Sequence, residues 1–386
     1  FGSFIPTYGV LANILTEPLV PVATVTGLLA ILTAPVPFLS DGLLAIATGM
    51  AAAIAAIART LVALPGSRLP WPPGTMGLVL SVAVSAGTAI AVLTRAKRAG
   101  VGIALASATL GGALTIGAGG IAWATAPREW SWAQCDVGQG DAVLVRDAGA
   151  VALIDTGRTE PPLRECLAAL GIGHIDLLVL THFDADHVGG YDAIRGRVGT
   201  VLHGPTDGIA DEVILRRLRE AGATLVDARR GMGGHIGRLV WSVLWPNPNT
   251  PREPGNPSSV TMSFARGPTC DTTCVTGIDL GDLPAAEQTT VRLSGGIVPV
   301  DVVKVSHHGS RDQDSDFYAR VRPAVALIGV GADNDYGHPT APTLEMLRGL
   351  GALTARTDLS GIALVWRDSG GVLRVWRERR PAPDLH

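Results

Sequence analysis

A chain of 386 residues with 47% hydrophobic side chains, 17% charged ones and a mean hydropathy of +0.31 is too apolar for a disordered protein, and four cysteines are too few for a disulfide scaffold. The formal net charge of −3 offers no basic footprint for a polyanion. The average hides two unlike parts: residues 1–126 hold only Glu17, Asp41, Arg59, Arg68, Arg95, Lys97 and Arg98 as charges, whereas 127–386 carry 26 basic against 32 acidic side chains, hence −6.

The first part contains apolar stretches at 18–38, 42–63, 75–94 and 101–125. Each comes near or exceeds the ~20 residues that span a bilayer as a helix, so transmembrane helices are expected over 1–126. Pro18, Pro21, Pro35 and Pro37 make the first the least regular, open to a break. The basic cluster Arg95-Ala-Lys-Arg98 is placed inside the cell by the excess of Lys and Arg in cytoplasmic loops. The fourth span then delivers 127–386 to the outer face of a multi-pass protein. No basic start or cleavage site marks Phe1 to Leu15 as a signal peptide, and an opening Phe in place of Met leads us to expect a processed or partial chain.

Past a hinge at Pro127, strand-like runs at 130–136, 141–146 and 150–155 predict an antiparallel meander turning at Gly138-Gln-Gly140 and Ala148-Gly149. A helix over 162–170 should stop at Gly171, ahead of a buried strand over 175–180. Strands at 200–203, 238–245, 260–266, 298–305 and 324–329, with helices at 211–221 and 284–293, complete the series. Strands alternating with helices, with hairpins at both ends, predict two mixed sheets sandwiched between helices. Cys270 and Cys274 flank a predicted hairpin tip, where a disulfide would suit an outer face.

The densest chemistry is Thr181-His-Phe-Asp-Ala-Asp-His-Val-Gly-Gly190. His182, Asp184, Asp186 and His187 crowd two imidazoles and two carboxylates into six positions where a strand hands its chain to a glycine pair. Such groups repel or stay unsatisfied without a cation, and imidazole with carboxylate suits zinc, manganese or iron. Asp141 and Asp155, each at a strand edge, are candidates to orient a ligating imidazole, with turn capping the plainer role. Asp282 follows an apolar run and is placed to bridge two cations, although Asp279 competes for the part and helix capping is open to Asp282. A second strand ends in His307-His308-Gly309. Neighbours on a strand face opposite ways, so one of the pair reaches a metal and the other meets substrate. In the reading adopted here, His307 ligates and His308 joins Asp186 and His338 as catalytic groups, His338 being presented by the turn Asn334-Asp-Tyr-Gly-His-Pro339.

The series Asp136-Val-Gly-Gln-Gly-Asp141, Leu153-Ile-Asp-Thr-Gly157, His182-x-Asp-x-Asp-His187, Gly281-Asp282, His307-His-Gly-Ser310 and Tyr336-Gly-His-Pro339, in this order and spacing, resembles the ComEC/Rec2 competence family. Phe1-Gly-Ser-Phe-Ile-Pro6 and Leu11-Ala-Asn-Ile-Leu-Thr-Glu-Pro18 resemble the tail of that family's membrane domain. The resemblance implies transmembrane helices followed by an αββα metallo-β-lactamase-like sandwich. It implies a DNA-uptake protein that passes one strand across the membrane, works with other competence proteins, and carries a phosphodiesterase or nuclease domain degrading the other strand. It further implies two divalent ions, manganese or zinc, held by His182, Asp184, Asp186, His187, Asp282 and one late histidine. The family's early spans and OB-like domain have no counterpart here, implying a carboxy-terminal piece. The wider superfamily has a histidine where this chain has Asp184, favouring manganese, and an isolated histidine where this chain offers only His203, His235 and the Asn256-Pro-Ser-Ser259 segment. Two competing readings follow: DNA transport or binding with a vestigial metal site, and hydrolysis of a small ester, lactam or thioester.

Overall fold

The computed structural model describes residues 4–62, 64, 68–70, 74–93, 98–110, 126–248 and 253–379, and the chain divides into two compact units, Phe1–Ala124 and Thr125–His386. Among the described residues of the first, β1 (Phe4–Pro6) pairs antiparallel with β2 (Arg68–Pro70), and the helices are α1 (Gly9–Thr16), α2 (Leu19–Leu32), α3 (Pro37–Val62), α4 (Gly74–Leu93) and α5 (Arg98–Leu110). A 49° bend separates α1 from α2 next to Pro18, which has no N–H to continue the ladder. Pro37 opens α3, where a missing N–H costs nothing.

Among the described residues α3 is the one helix long and apolar enough to cross a membrane, with α1 and α2 a second if the bent pair is a single span. The expected third span corresponds to α4, apolar over Leu78–Leu93, and the described part of the fourth is the apolar helix Arg98–Leu110. Residues 95–97 of the basic loop and 111–125 of the fourth stretch lie outside the described residues. Helices α4 and α5 touch backbone to backbone: a methyl on Gly87 would sit 2.8 Å from both Ala104 N and Gly100 O. Small residues four apart on both helices (Gly87 and Ala91, Gly100 and Ala104) permit that approach.

The second unit is a pair of facing sheets. One contains β3 (Trp132–Gln134), β4 (Val143–Asp147), β5 (Ala150–Ile154), β6 (Ile175–Leu180), β7 (Val198–His203), β8 (Thr224–Asp227), β16 (Ala363–Arg367) and β17 (Leu373–Arg377). Their order is β17-β16-β3-β4-β5-β6-β7-β8, antiparallel up to β5 and parallel after it. The other contains β9 (Gly233–Ile236), β10 (Leu239–Trp245), β11 (Thr261–Arg266), β12 (Gly277–Asp279), β13 (Val302–Lys304), β14 (Val325–Ile328) and β15 (Leu353–Arg356). Its order, β15-β14-β13-β12-β11-β10-β9, is parallel from β15 to β12 and antiparallel beyond.

Period-two alternation builds the core: Val143 and Val145 of β4 enter the layer between the sheets, where Trp132 meets Phe264 edge-on at 5.5 Å. The far face of the second sheet packs Ile278, Val303 and Ile328 against Val291 of α9 (Ala285–Leu293), Phe317 of α10 (Ser315–Val321) and Leu347 of α11 (Ala341–Gly349). Each such side chain, fully buried, contributes about 1.5–3 kcal/mol. Helices α6 (Glu160–Ala169) and α8 (Ile209–Glu220) bury Leu163, Leu167, Leu215 and Leu218. These two sheets with their helices are the expected architecture. The strand expected over 298–305 shrinks to Val302–Lys304, since Pro299 cannot donate to a ladder. Cys270 and Cys274 are disulfide-bonded as expected, with Cα atoms 5.8 Å apart. A second bridge, Cys135–Cys166, ties the end of β3 to α6 and has no local sequence cue.

Candidate metal centre

Parallel strands end together, so loops after β5, β6, β12, β13 and β14 converge at one rim, where ligands of open α/β sheets gather. After β6 the chain makes the single turn α7 (Ala185–Val188). Gly189 and Gly190 let that turn press on the loop after β5: a Cβ on either would collide with the carbonyl of Arg158 or Thr156. Thr156 N donates in turn to His187 O at 2.7 Å.

Asp155 accepts from Thr181 N (2.8 Å), from Thr181 Oγ1 (2.7 Å) and from His187 Nδ1 (2.7 Å). That fixes the His187 ring so that Nε2 faces Asp282 Oδ2 at 3.3 Å. His308 Nδ1 donates to Gly329 O at 2.8 Å, turning Nε2 toward Asp186 (3.4 Å) and Asp282 (3.6 Å). His182 Nδ1 is held by Thr181 Oγ1 (3.0 Å) and Ser259 Oγ (3.3 Å), and its Nε2 looks to Asp184 Oδ2 at 3.6 Å. Asp141, His187, Asp282 and His308, all buried, each bring a ligand atom within 4.8 Å of the others.

His182 Nε2, His187 Nε2, His308 Nε2, Asp282 Oδ1 and Asp141 Oδ1 are buried with no hydrogen-bond partner among the described residues. One such orphan costs about 1–3 kcal/mol, so several at one point mark a site shaped for something else. Three imidazole nitrogens with clustered carboxylate oxygens fit a divalent cation.

The electrostatics agree. Burial opposes ionisation of Asp186, yet His308 and His187 hold its carboxyl below the usual range. Burial opposes the charge on Asp282 too, and His187, His308 and Lys304 hold it well below. Burial works against a charged His187, and Asp282 with Asp155 overcome it, raising its pKa. Burial lowers both His307 and His338, and their histidine neighbours add to that.

Of the residues singled out from sequence, His182, Asp184, Asp186, His187, Asp282, His308, Asp141 and Asp155 come together. The late pair exchanges places relative to expectation: buried His308 enters the four-residue group, while half-exposed His307 stands 3.9 Å from Asp282. The reason is conformational. Strand β13 has ended at Lys304, and both histidines take left-handed backbone angles (φ 49° and 52°) in a tight turn, so strand alternation no longer governs them. His338 lies one ring further out, 5.4 Å from His307. His203 and His235 stay apart, the first bonded to Gly204 O and the second exposed on β9.

Sequence reasoning missed Lys304. Fully buried, its ammonium lies against Asp141, 3.5 Å from Asp282 Oδ1, and donates to Gly281 O at 2.8 Å. The signal was a lysine inside the apolar run Asp301-Val-Val-Lys-Val305. Asp279 was weighed for the bridging part; it sits deeper, accepting from Gly281 N, and burial pushes its carboxyl up to about 7.

The metallo-beta-lactamase superfamily model matches residues 135–213. ComE operon protein 3 of Bacillus subtilis is 31% identical over 252 residues, covering 58% of this chain and 31% of that protein. Competence protein ComA of Neisseria gonorrhoeae is 31% identical over 253 residues (63% and 33%), and Recombination protein 2 of Haemophilus influenzae 28% over 242 (60% and 28%). The chain thus spans about a third of the length of these relatives. Among solved structures, a diphosphatase of the PhnP family aligns at 15% identity and TM-score 0.36, over 58% of this chain and 94% of that one. YhfI from Bacillus subtilis, a metallo-beta-lactamase fold protein, aligns at 11% and 0.40, over 58% and 95%.

Proposed function

We propose that this chain, a homologue of the ComEC/Rec2 competence proteins with a metallo-β-lactamase domain, serves DNA uptake and hydrolyses phosphodiester bonds of the strand that is not transported. The helical unit lies in the cell membrane, and the second unit faces outward, where its two disulfides suit an oxidising compartment. Other competence proteins are its partners. One observation carries the hydrolytic part: orphaned imidazole nitrogens and carboxylate oxygens, buried and converging at a sheet rim.

His187, His308, Asp186 and Asp282 would hold one divalent ion, and His182, Asp184 and Asp282 a second, manganese or zinc. Ions in such sites supply acidity for a water molecule and offset charge on phosphoryl oxygens. The chain's own residues do the rest. Asp155 and Gly329 O keep each Nε2 aimed inward, and Lys304 balances part of the charge on Asp141 and Asp282. Burial holds His307 and His338 below the usual histidine value, so near pH 7 they are suited to accept a proton.

A second reading, DNA binding with a vestigial metal site, has Lys304 in its favour, because an internal ammonium already offsets part of the charge on the two carboxylates. Labelled single- and double-stranded DNA incubated with the full chain, with manganese or with chelator, separates the two. Manganese-dependent cleavage is expected, falling to background in Asp186→Ala and His187→Ala proteins that keep the wild-type circular dichroism. Cleavage that persists in those variants, or a purified chain that takes up no metal by elemental analysis, defeats the hydrolytic reading.

A further inference from the structure

Three aromatic rings lead outward from the metal-ligand cluster. His307 stands edge-on to His308 (centroids 6.1 Å) and to His338 (5.4 Å), and Tyr336 stacks on His338 at 6.1 Å with planes 27° apart. The series begins in buried His308, passes half-buried His338 and ends in Tyr336, 60% exposed.

The turn carrying these rings is held in place. Asn334 Nδ2 donates to Gly331 O (2.9 Å) and His338 O (3.1 Å), and its Oδ1 accepts from His338 N (3.2 Å). Gly331 N donates to Gln139 Oε1 of the loop leading to Asp141 (3.3 Å). A large flat ring is therefore presented to solvent on a fixed turn, contributing little to the core. Beneath it His338 Nδ1 is buried without a hydrogen-bond partner among the described residues, a polar contact left for something else.

We propose that Tyr336, backed by His338, is a stacking ledge for the nucleobase beside the reacting phosphate, so that the site selects nucleic acid with unpaired bases over other phosphodiesters. The inference rests on the hydrolytic reading above and names its substrate class. Every nucleobase offers a flat face, so the ledge is tolerant of sequence. A duplex keeps its faces paired and stacked and cannot use it without opening. The net negative charge of this part also favours a source of affinity, such as stacking, that does not depend on neutralising phosphates.

The test uses the full chain and two fluorescent pentadeoxynucleotides, one bearing bases and one abasic throughout, with binding read in chelator and cleavage in manganese. Wild type should bind the base-bearing strand more tightly, and a 2-aminopurine in it should be quenched on binding. Tyr336→Ala should weaken that strand about 5- to 100-fold and leave the abasic one unchanged, with Tyr336→Phe close to wild type. Equal binding of both strands by wild type, or an alanine effect that is nil or the same for both, overturns the ledge. The outcomes separate the two proposals. Tyrosine-dependent binding without cleavage sinks hydrolysis and keeps the ledge, whereas cleavage indifferent to Tyr336 does the reverse.

Discussion

The two units dispose of polar groups in opposite ways. In the helical unit, Thr16, Thr24, Thr26, Thr33, Thr48, Thr60, Thr88 and Thr109 each return the hydroxyl to the carbonyl four residues back, at 2.7–2.9 Å. Apolar side chains such as Leu39, Leu44 and Ile46 remain outside. Such a surface asks nothing of its solvent, which is what hydrocarbon requires. The second unit buries its apolar side chains and satisfies most polar atoms, then gathers at one rim a set that are buried and unpaired. The eight threonine hydroxyls are all bonded, whereas His182, His187, His308, Asp141 and Asp282 bring unbonded atoms to one place, and that convergence is what singles out the candidate site.

The largest expected effect strikes that concentration. Lys304→Met leaves Asp141 and Asp282 buried together without their ammonium, and removing one partner of a buried ion pair costs about 3–5 kcal/mol. Unfolding of the full chain by denaturant, in chelator, should show a loss of that order, and manganese should recover part of it. An unchanged midpoint would mean that the cluster is not held by internal charge balance, which also removes the support for a vestigial site.

A charge in the other unit should do its damage through the solvent. Ile46→Lys places an ammonium on the exposed apolar face of α3, whose 25-residue apolar stretch would measure about 37 Å against a hydrocarbon core of about 30 Å. Near the middle of a span a lysine costs about 2.5–3.5 kcal/mol. The fraction of chain resisting alkaline extraction from membranes should fall, while Ile46→Leu leaves it unchanged. Equal retention of the lysine variant would take α3 out of the bilayer.

What the sequence revealed follows the range of its signals. The run Ile175–Leu180 and the glycine pair after His187 are local, and both the strand and the ligand loop could be read from them. Contacts between distant residues could not. Asp155 meets Thr181 across 26 positions and Cys135 meets Cys166 across 31, and neither spacing carries a pattern. Lys304 was hidden for a different reason, since a lone lysine in an apolar run reads as an interruption until its carboxylates are placed around it. The histidine pair was misjudged because strand alternation was carried two residues beyond the strand's end. In the helical unit composition was the legible signal: among the described residues one helix is long and apolar enough to span, or two with the bent pair, and most of the fourth stretch lies outside those residues.

The smallest effect asks whether charge in the second unit but away from the cluster behaves ordinarily. Asp314 caps α10, accepting from Asp316 N at 3.0 Å, while its other oxygen takes Arg292 Nε and Thr289 Oγ1, both at 2.9 Å. Burial works against the charge, but Arg292 and Thr289 outweigh it and hold the carboxyl below the usual value. Asp314→Ala should therefore cost about 1–2 kcal/mol near neutral pH, the worth of a good helix cap. A depressed carboxylate stabilises the fold in full above the unfolded-state value of about 3.9, and that share is lost as pH falls through the lower folded-state value. The gap between wild type and Asp314→Ala should accordingly be constant from pH 5 upward and close in acid, with the same size in manganese and in chelator. A gap that changed with metal would tie Asp314 to the cluster, and the contrast between the metal-ligand rim and ordinary charge elsewhere in the unit would no longer hold.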